Sequence, residues 1–154
     1  MSEQYEKVIT SFPLFQGFTP AGAKMLLERG EVKIVPAGQT LFKEGDPPNC
    51  VLLVLDGKLE VFVERKGRDL VLTESAPGTI VGELAVLCGI PRSASVRAAE
   101  GAVVLELSTR SFRSLLLSDA FLSERVFRQS LRTLIDKEQS LIDSVTRSAG
   151  VNPA

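Results

Sequence analysis

The sequence predicts a mainly β protein, a sandwich or barrel flanked by two helical segments, and three observations support this prediction. Residues 31–108 hold short apolar runs that alternate with Gly- and Pro-containing turns at close intervals, as in all-β sandwiches and barrels. Residues 1–30 and 109–147 instead space their apolar side chains as helices do. The 154 residues, 44% of them hydrophobic, suffice for one domain with a sizeable core. The last residues, 148–154, are expected to form a frayed tail.

Two helices are predicted in the N-terminal segment. The first ends near Pro13, which interrupts the helical spacing. Thr19 is placed to cap the second helix, and Pro20 suits its first position. Gly30 is placed to end that helix.

Seven runs in the β segment have the length and composition of strands. In one of them Leu59, Val61 and Val63 share a face by the period of two that strands follow. Glycines between the runs supply the positive φ that tight turns require. The runs are 32–35, 40–42, 51–55, 59–63, 70–72, 94–98 and 102–107.

Two further helices are predicted at the C-terminal end. Ser108 or Thr109 is placed to cap the first, and Ser118 with Asp119 to cap the second. The second helix carries an apolar stripe, interrupted at Glu138, that we expect to pack on the β unit. The same stripe suits pairing with a second copy of the chain, as a homodimer through residues 120–145. The stripe consists of Phe127, Leu131, Leu134, Leu141 and Val145.

Composition excludes several function classes. The chain has no histidine, which removes Ser-His-Asp and Cys-His catalysis and His-ligated haem or zinc. Its net charge of −1 disfavours nucleic acid as the main partner. No apolar run approaches the ~20 residues that span a bilayer, and the polar start is no signal peptide. We therefore expect a cytoplasmic protein without membrane contact, whose cysteines Cys50 and Cys88 are reduced and partly buried.

One segment, residues 79–97, departs from the pattern of strands and turns. Residues 82–87 favour a helix of only one or two turns, and the free backbone N–H groups at its start suit an anion. Arg92 follows this helix, and a guanidinium can bind two phosphate oxygens at once, while Ser93 adds a hydroxyl donor. Glu83 would repel a phosphate but can accept a hydrogen bond from a sugar hydroxyl. These residues predict a site for a ribose that carries one phosphate.

Two motifs, Gly-Glu-Leu-Ala at 82–85 and Pro-Arg-Ser-Ala-Ser-Val at 91–96, resemble the phosphate-binding cassette of cyclic nucleotide-binding domains, which would span 79–96 here. That family includes the effector domain of the catabolite activator protein and the regulatory subunits of protein kinase A. The stretches 36–46 and 55–61 resemble the family's early strand pair and its next hairpin, and the flanking helices match in order. The resemblance implies an antiparallel β-roll of eight strands, a jelly-roll-like double-stranded β-helix, with N-terminal helices and two C-terminal helices.

The resemblance also implies a role for each residue of the cassette. In the family, the cassette arginine binds the cyclic phosphate and the cassette glutamate binds the ribose 2′-OH. By this correspondence the phosphate is expected at Arg92, Ser93 and Ala94, and the ribose at Gly82, Glu83 and Leu84. The base is expected against Val61 and Leu72, under a lid residue from positions 133–137 of the last helix, with Thr133 as the candidate.

Together these expectations describe a regulatory sensor that binds a 3′,5′-cyclic nucleotide without catalysis, cofactor or metal and signals to a partner protein through its C-terminal helices. Ser93 favours cyclic AMP, because cyclic-GMP-preferring relatives carry a threonine there, and cyclic GMP stays open. The alternative is a ligand-free dimerisation or interaction module of the same fold.

Two further expectations concern the output and the arginine. No helix-turn-helix follows the last helix, so direct DNA binding is not expected; the chain is either a stand-alone sensor or a domain separated from its effector. Replacing Arg92 by alanine is expected to weaken nucleotide binding while changing the melting temperature little.

Overall fold

The computed structural model of the chain describes residues 2–148, so most of the predicted tail lies outside the described residues. The helices are α1 (Ser2–Ser11), α2 (Pro20–Glu28), α3 (Glu83–Cys88), α4 (Thr109–Ser118) and α5 (Ala120–Ser148), with a 3₁₀ turn at Pro13–Phe15. The strands are β1 (Glu31–Val35), β2 (Thr40–Phe42), β3 (Cys50–Asp56), β4 (Leu59–Arg65), β5 (Arg68–Ser75), β6 (Ile80–Val81), β7 (Ser95–Ala98) and β8 (Ala102–Ser108).

Two four-stranded antiparallel sheets pack against each other and form a β-roll. One sheet has the strand order β1-β8-β3-β6, and the other has the order β2-β7-β4-β5. The antiparallel β-roll with flanking helices that the resemblance implied is therefore confirmed. Each of the seven predicted runs is a strand. The eighth strand, β6, escaped prediction because its two residues are too few to show a periodic pattern.

Strand β3 takes part in two separate cores. Leu52 and Val54 pack between the two sheets, whereas Val51, Leu53 and Leu55 pack under the helices on the opposite face. Successive side chains of a strand point to opposite faces, so a strand covered on both faces is apolar throughout. Helices α1, α2 and α4 and the start of α5 thus cover the outer face of the first sheet, and the later part of α5 contacts β5 of the second sheet.

Side-chain caps begin three helices at the predicted positions. Thr19, Ser108 and Asp119 each accept a hydrogen bond from the backbone N–H three residues further on, at 3.0–3.1 Å. At the end of α2, a Cβ on Gly30 would lie 2.7 Å from the carbonyl oxygen of Glu106, so glycine permits the close approach of this chain segment to β8. Within residues 2–148, no helix combines the length and the apolar character that crossing a membrane requires.

The long helix α5 contacts the roll through a different face from the one predicted. Leu122 and Val126 are buried, but further along the helix the contacts to the roll are made by polar side chains such as Gln129 and Ser140. The expectation that the apolar stripe packs on the β unit is wrong, because the roll presents backbone polar groups and a buried carboxylate to the helix. The stripe is 40–68% exposed at Phe127, Leu131, Leu134, Leu141 and Val145.

Candidate functional site

A cavity of about 30 Å³ lies where the β6–α3 junction, the second sheet and α5 meet. The enclosed part of this space holds about one or two water molecules, so a larger ligand extends through the open side of the cavity or displaces side chains. The cavity is lined by Phe42, Val61, Val81, Gly82, Glu83, Leu84, Ala85, Arg92, Ser93, Ala94, Val96 and Lys137.

Seven of the nine predicted site residues line this cavity, and Leu72 and Thr133 do not. Leu72 is buried in the core between the sheets. The hydroxyl of Thr133 donates to the carbonyl oxygen of Gln129, one turn back in its own helix, at 3.0 Å. The residue of α5 that does line the cavity is Lys137, one helical turn beyond Thr133. Lys137 is the last position of the predicted range 133–137, and because helical periodicity places both positions on one face, it does not decide between them.

Gly82 leaves the space that the guanidinium of Arg92 occupies. It caps α3 in the left-handed region, with φ of 85°. A Cβ at this position would lie 2.6 Å from Nη1 of Arg92 and 3.2 Å from the ring of Phe42. Glycine is therefore required both for the backbone conformation and for the close approach of the arginine.

Arg92 is only 3% exposed, and its side chain connects three parts of the roll. Its Cζ lies 3.9 Å from the centroid of the Phe42 ring. Nη1 donates to the carbonyl oxygen of Gly82 at 2.8 Å, and Nη2 donates to that of Cys50 at 2.5 Å. Nε is buried without a hydrogen-bond partner. Burial lowers the pKa of Arg92, and nearby groups offset part of this effect.

These contacts give Arg92 a structural role that the sequence did not indicate. Its removal would take a charged donor from two part-buried carbonyl oxygens, and losing such hydrogen bonds is costly. We therefore expect that replacing Arg92 lowers the melting temperature, contrary to the expectation from the sequence.

The loop that carries Arg92 is held by the turn between β2 and β3. The N–H of Arg92 donates to the carbonyl oxygen of Asp46 at 2.9 Å, and the N–H of Gly45 donates to the carbonyl oxygen of Arg92 at 2.8 Å. The hydroxyl of Ser95 accepts from the N–H of Glu44 at 2.9 Å. The turn that resembled the family's early strand pair thus positions the cassette.

Glu83 begins α3 and is 3% exposed. Burial raises the pKa of its carboxyl group, while a backbone hydrogen bond, the hydroxyl of Ser130 and the charges of Lys137 and Arg92 lower it in part. Oγ of Ser130 is buried and makes no hydrogen bond of good geometry. We therefore attribute its effect on the pKa of Glu83 to the dipole of the Ser130 hydroxyl group. Burial lowers the pKa of Lys137, and Glu83 raises it. One carboxylate and two cationic side chains therefore share this small cavity.

Helix α5 is joined to the strand that leads into the cassette. The side-chain amide of Gln129 accepts from the N–H of Ile80 at 3.0 Å and donates to the carbonyl oxygen of Ile80 at 2.9 Å. This amide pairs with β6 in the way a neighbouring strand would. Further along, the hydroxyl of Ser140 donates to the carbonyl oxygen of Leu72 on β5 at 2.7 Å. Helix α5 is therefore hydrogen-bonded to both β6 and β5.

Both cysteines are free. Cys50 is half-buried with Sγ 3.6 Å from Nη2 of Arg92, and burial raises the pKa of its thiol. Cys88, at the end of α3, is exposed, which corrects the expectation that both thiols are partly buried.

The β-roll places a buried guanidinium and a buried carboxylate on one cavity, beside a short helix begun by a left-handed glycine. The sequence profile of the cyclic nucleotide-binding domain matches residues 19–119, which is more than half of the chain. The chain therefore belongs to the cyclic nucleotide-binding domain family.

Similar proteins use this domain within longer chains. A cyclic nucleotide-gated potassium channel of Mesorhizobium japonicum is 30% identical over 124 residues, which are 80% of this chain and 33% of the channel. A cAMP-dependent protein kinase regulatory subunit of Emericella nidulans is 33% identical over 112 residues, 73% of this chain and 27% of that protein. The solved catabolite activator protein of Thermus thermophilus has a TM-score of 0.70 and 27% identity, covering 84% of this chain and 61% of that one. The chain spans less than two thirds of each of these three proteins.

Proposed function

We propose that the chain binds a 3′,5′-cyclic nucleotide in the cavity beside α3 and acts as a regulatory module without catalysis. The observation that carries this proposal is that Arg92 and Glu83, each 3% exposed, line the same cavity. Burying charged side chains is costly, and apolar residues of similar volume often stabilise a fold as well or better. A ligand with one anionic phosphate and free sugar hydroxyls would use both groups.

The phosphate is assigned to Arg92, Ser93 and Ala94. Nε of Arg92 is a buried donor without a partner, and Ser93 adds its hydroxyl and its backbone N–H. Nη1 and Nη2 already bind backbone carbonyl oxygens, so the arginine offers one free donor before any rearrangement. A charge-assisted hydrogen bond of this kind is stronger than a neutral one.

The ribose is assigned to Glu83, with the backbone of Gly82 and Leu84 beside it. If the carboxylate accepts from the ribose 2′-OH, a 2′-deoxy cyclic nucleotide should bind the parent protein more weakly by about 1–3 kcal/mol. Glu83→Gln should reduce that discrimination. A parent protein indifferent to the 2′-hydroxyl would move Glu83 to a purely structural role.

The base is assigned to the apolar wall of the cavity, and cyclic AMP is the favoured ligand. Val61, Val81 and Val96 form that wall. Ser93 stands where a threonine would favour guanine, and two of the relatives are named for cyclic AMP, the kinase regulatory subunit of Emericella nidulans and an activator of Mycobacterium tuberculosis. Competition between cyclic AMP and cyclic GMP for one protein sample tests this preference, and tighter binding of cyclic GMP would contradict it.

Calorimetric titration with cyclic AMP and cyclic GMP tests the proposal as a whole. Arg92→Lys keeps the charge but loses Nε, the donor left free for the phosphate, together with the guanidinium that Gly82 and Cys50 hold in place, and we expect a loss of about 2 kcal/mol, or roughly 30-fold in affinity. Arg97→Lys is the matched control, because Arg97 also stacks on a phenylalanine, Phe62, and pairs with carboxylates, but does not line the cavity. Equal affinities of the two variants would contradict the role of Arg92.

Recovery of unaltered nucleotide after incubation tests the absence of catalysis.

The transmission of the binding signal is assigned to α5, which would pass it to a partner protein. The link from Gln129 to Ile80 supports this part, since a change at the cassette can reach the helix through β6. The outward-facing stripe of α5 supports pairing with a second copy or with another protein. Hydrogen exchange with and without nucleotide tests the coupling, which is wrong if protection changes only in residues 79–96. Sedimentation at several concentrations tests the homodimer.

The alternative, a ligand-free interaction module, draws support from the same exposed stripe, which includes Leu131 and Val145 at 61% and 68% exposure. It predicts no heat of binding with either nucleotide, together with self-association or partner binding through α5.

A further inference from the structure

Lys137 is the residue of α5 that enters the cavity, and nothing in the assignments above uses it. It is half-buried and lines the same space as Glu83 and Arg92. An amino group held away from water in this way requires a counter-charge. Glu83 is the charged neighbour that raises the pKa of Lys137, and Lys137 in turn lowers that of Glu83. Lys137 and Glu83 therefore influence each other's charge within the cavity that both line.

Two contacts hold Lys137 at this position. Gln129 binds Ile80 on one side of it along α5, and Ser140 binds the carbonyl oxygen of Leu72 on the other side. Between these two contacts the helix lies against the second sheet, so the side chain of Lys137 is directed into the roll. The stem of the lysine occupies part of the space beside Glu83, and the space that remains is about 30 Å³.

We propose that Lys137 is an internal competitor of the ligand: its ammonium group stabilises the carboxylate of Glu83 across the cavity that both residues line, and a nucleotide whose ribose binds Glu83 displaces the lysine from the cavity. This inference rests on the proposed function, because it names the event at the same site that links ligand binding to α5. The lysine stem lines the part of the cavity beside Glu83, where it takes space that a bound ribose would use. Displacement of Lys137 therefore moves the segment of α5 between Gln129 and Ser140.

The proposal predicts that removing the lysine improves binding. Lys137→Met keeps an unbranched apolar stem but has no charge to compete for Glu83, and we expect cyclic AMP to bind about fivefold more tightly, the factor that corresponds to about 1 kcal/mol. Simple attraction between a cation and an anionic ligand predicts the opposite sign. Arg132→Met is the matched control, because it removes a positive charge from the same helix without touching the cavity. Its affinity should stay at or slightly below that of the parent protein.

A second measurement, made without nucleotide, tests the charge pair itself. Thermal unfolding of the parent, Lys137→Met, Glu83→Gln and the double variant forms a double-mutant cycle. If the two side chains interact, the shifts in melting temperature are not additive, by about 2–4 °C for an interaction of about 1 kcal/mol in a chain of this size. Additive shifts overturn the proposal.

The two measurements separate failure of this inference from failure of the proposed function. If the parent binds cyclic AMP and Lys137→Met binds equally or less tightly, the lysine does not compete with the ligand and the inference is wrong. Binding by the variant but not by the parent supports the inference in its strongest form. If neither protein binds cyclic AMP or cyclic GMP, the proposed function fails and the lysine has no ligand to compete with, so the competition is overturned too.

Discussion

Replacing Arg92 by alanine should lower the melting temperature of the protein even in the absence of nucleotide. The side chain, itself buried, donates to the part-buried carbonyl oxygens of Gly82 and Cys50 and lies over the ring of Phe42. Hydrogen bonds from a charged group contribute about 1.5–3 kcal/mol each. The cost of burying the guanidinium offsets part of that stabilisation. We therefore expect a net loss of about 2–3 kcal/mol.

In a chain of this size, 1 kcal/mol corresponds to about 2–4 °C, so the melting temperature should fall by about 4–12 °C. Circular dichroism during heating measures the fall, and urea unfolding at a fixed temperature measures the free energy directly. The unfolding must be two-state for the conversion to hold, which coincidence of the two methods checks.

Arg97→Ala is the control for this measurement. Arg97 forms ion pairs with Glu60 and Asp69 and stacks on Phe62, but its side chain is 26% exposed. Partly exposed ion pairs contribute about 0–1 kcal/mol, so its melting temperature should change less. If Arg92→Ala melts within about 1 °C of the parent, or no lower than Arg97→Ala, the structural role of Arg92 is refuted and the side chain serves the ligand alone.

Three further predictions follow from the site. Gly82→Ala should destabilise the protein and abolish tight nucleotide binding. Gly38 has nearly the same φ, 86°, but a Cβ added there meets no atom within 4 Å, so Gly38→Ala should cost only the backbone strain of about 1 kcal/mol. Equal effects of the two substitutions would refute the clash with Arg92. Because burial raises the pKa of Glu83 above its ordinary 4.5, the folded state binds that proton more tightly than the unfolded chain does. The contribution of Glu83 to the free energy of unfolding is therefore greatest below pH 4.5 and falls as pH rises through the folded pKa. The difference in free energy of unfolding between the parent and Glu83→Gln should change with pH accordingly. A difference that is independent of pH would contradict the raised pKa of Glu83. Gln129→Ala should increase hydrogen exchange at β6 and cost about 1–2 kcal/mol, whereas Gln139→Ala, on the exposed face of α5, should do neither.

Much of this protein is determined by patterns that are local in the sequence. Turn glycines and period-two runs predict seven of the strands, and capping side chains at Thr19, Ser108 and Asp119 predict where three helices begin. The cassette is contiguous, so its residues reach one cavity as a unit. Six of the nine predicted site residues line that cavity for this reason, including Arg92 and Glu83, and a seventh, Val61, reaches it from β4.

Only the tertiary structure decided how α5 meets the roll. Helical periodicity shows which residues share a face, but it does not show which face turns inward. The apolar stripe was expected to pack on the roll, yet the roll presents the backbone of Ile80 and the carboxylate of Glu83 to the helix, so polar side chains face it and the stripe faces outward. Lys137 enters the cavity and Thr133 does not, because the distance of each side chain from Glu83 depends on how the helix is placed against the sheet. That placement depends on contacts between residues far apart in the chain, and no local pattern records it.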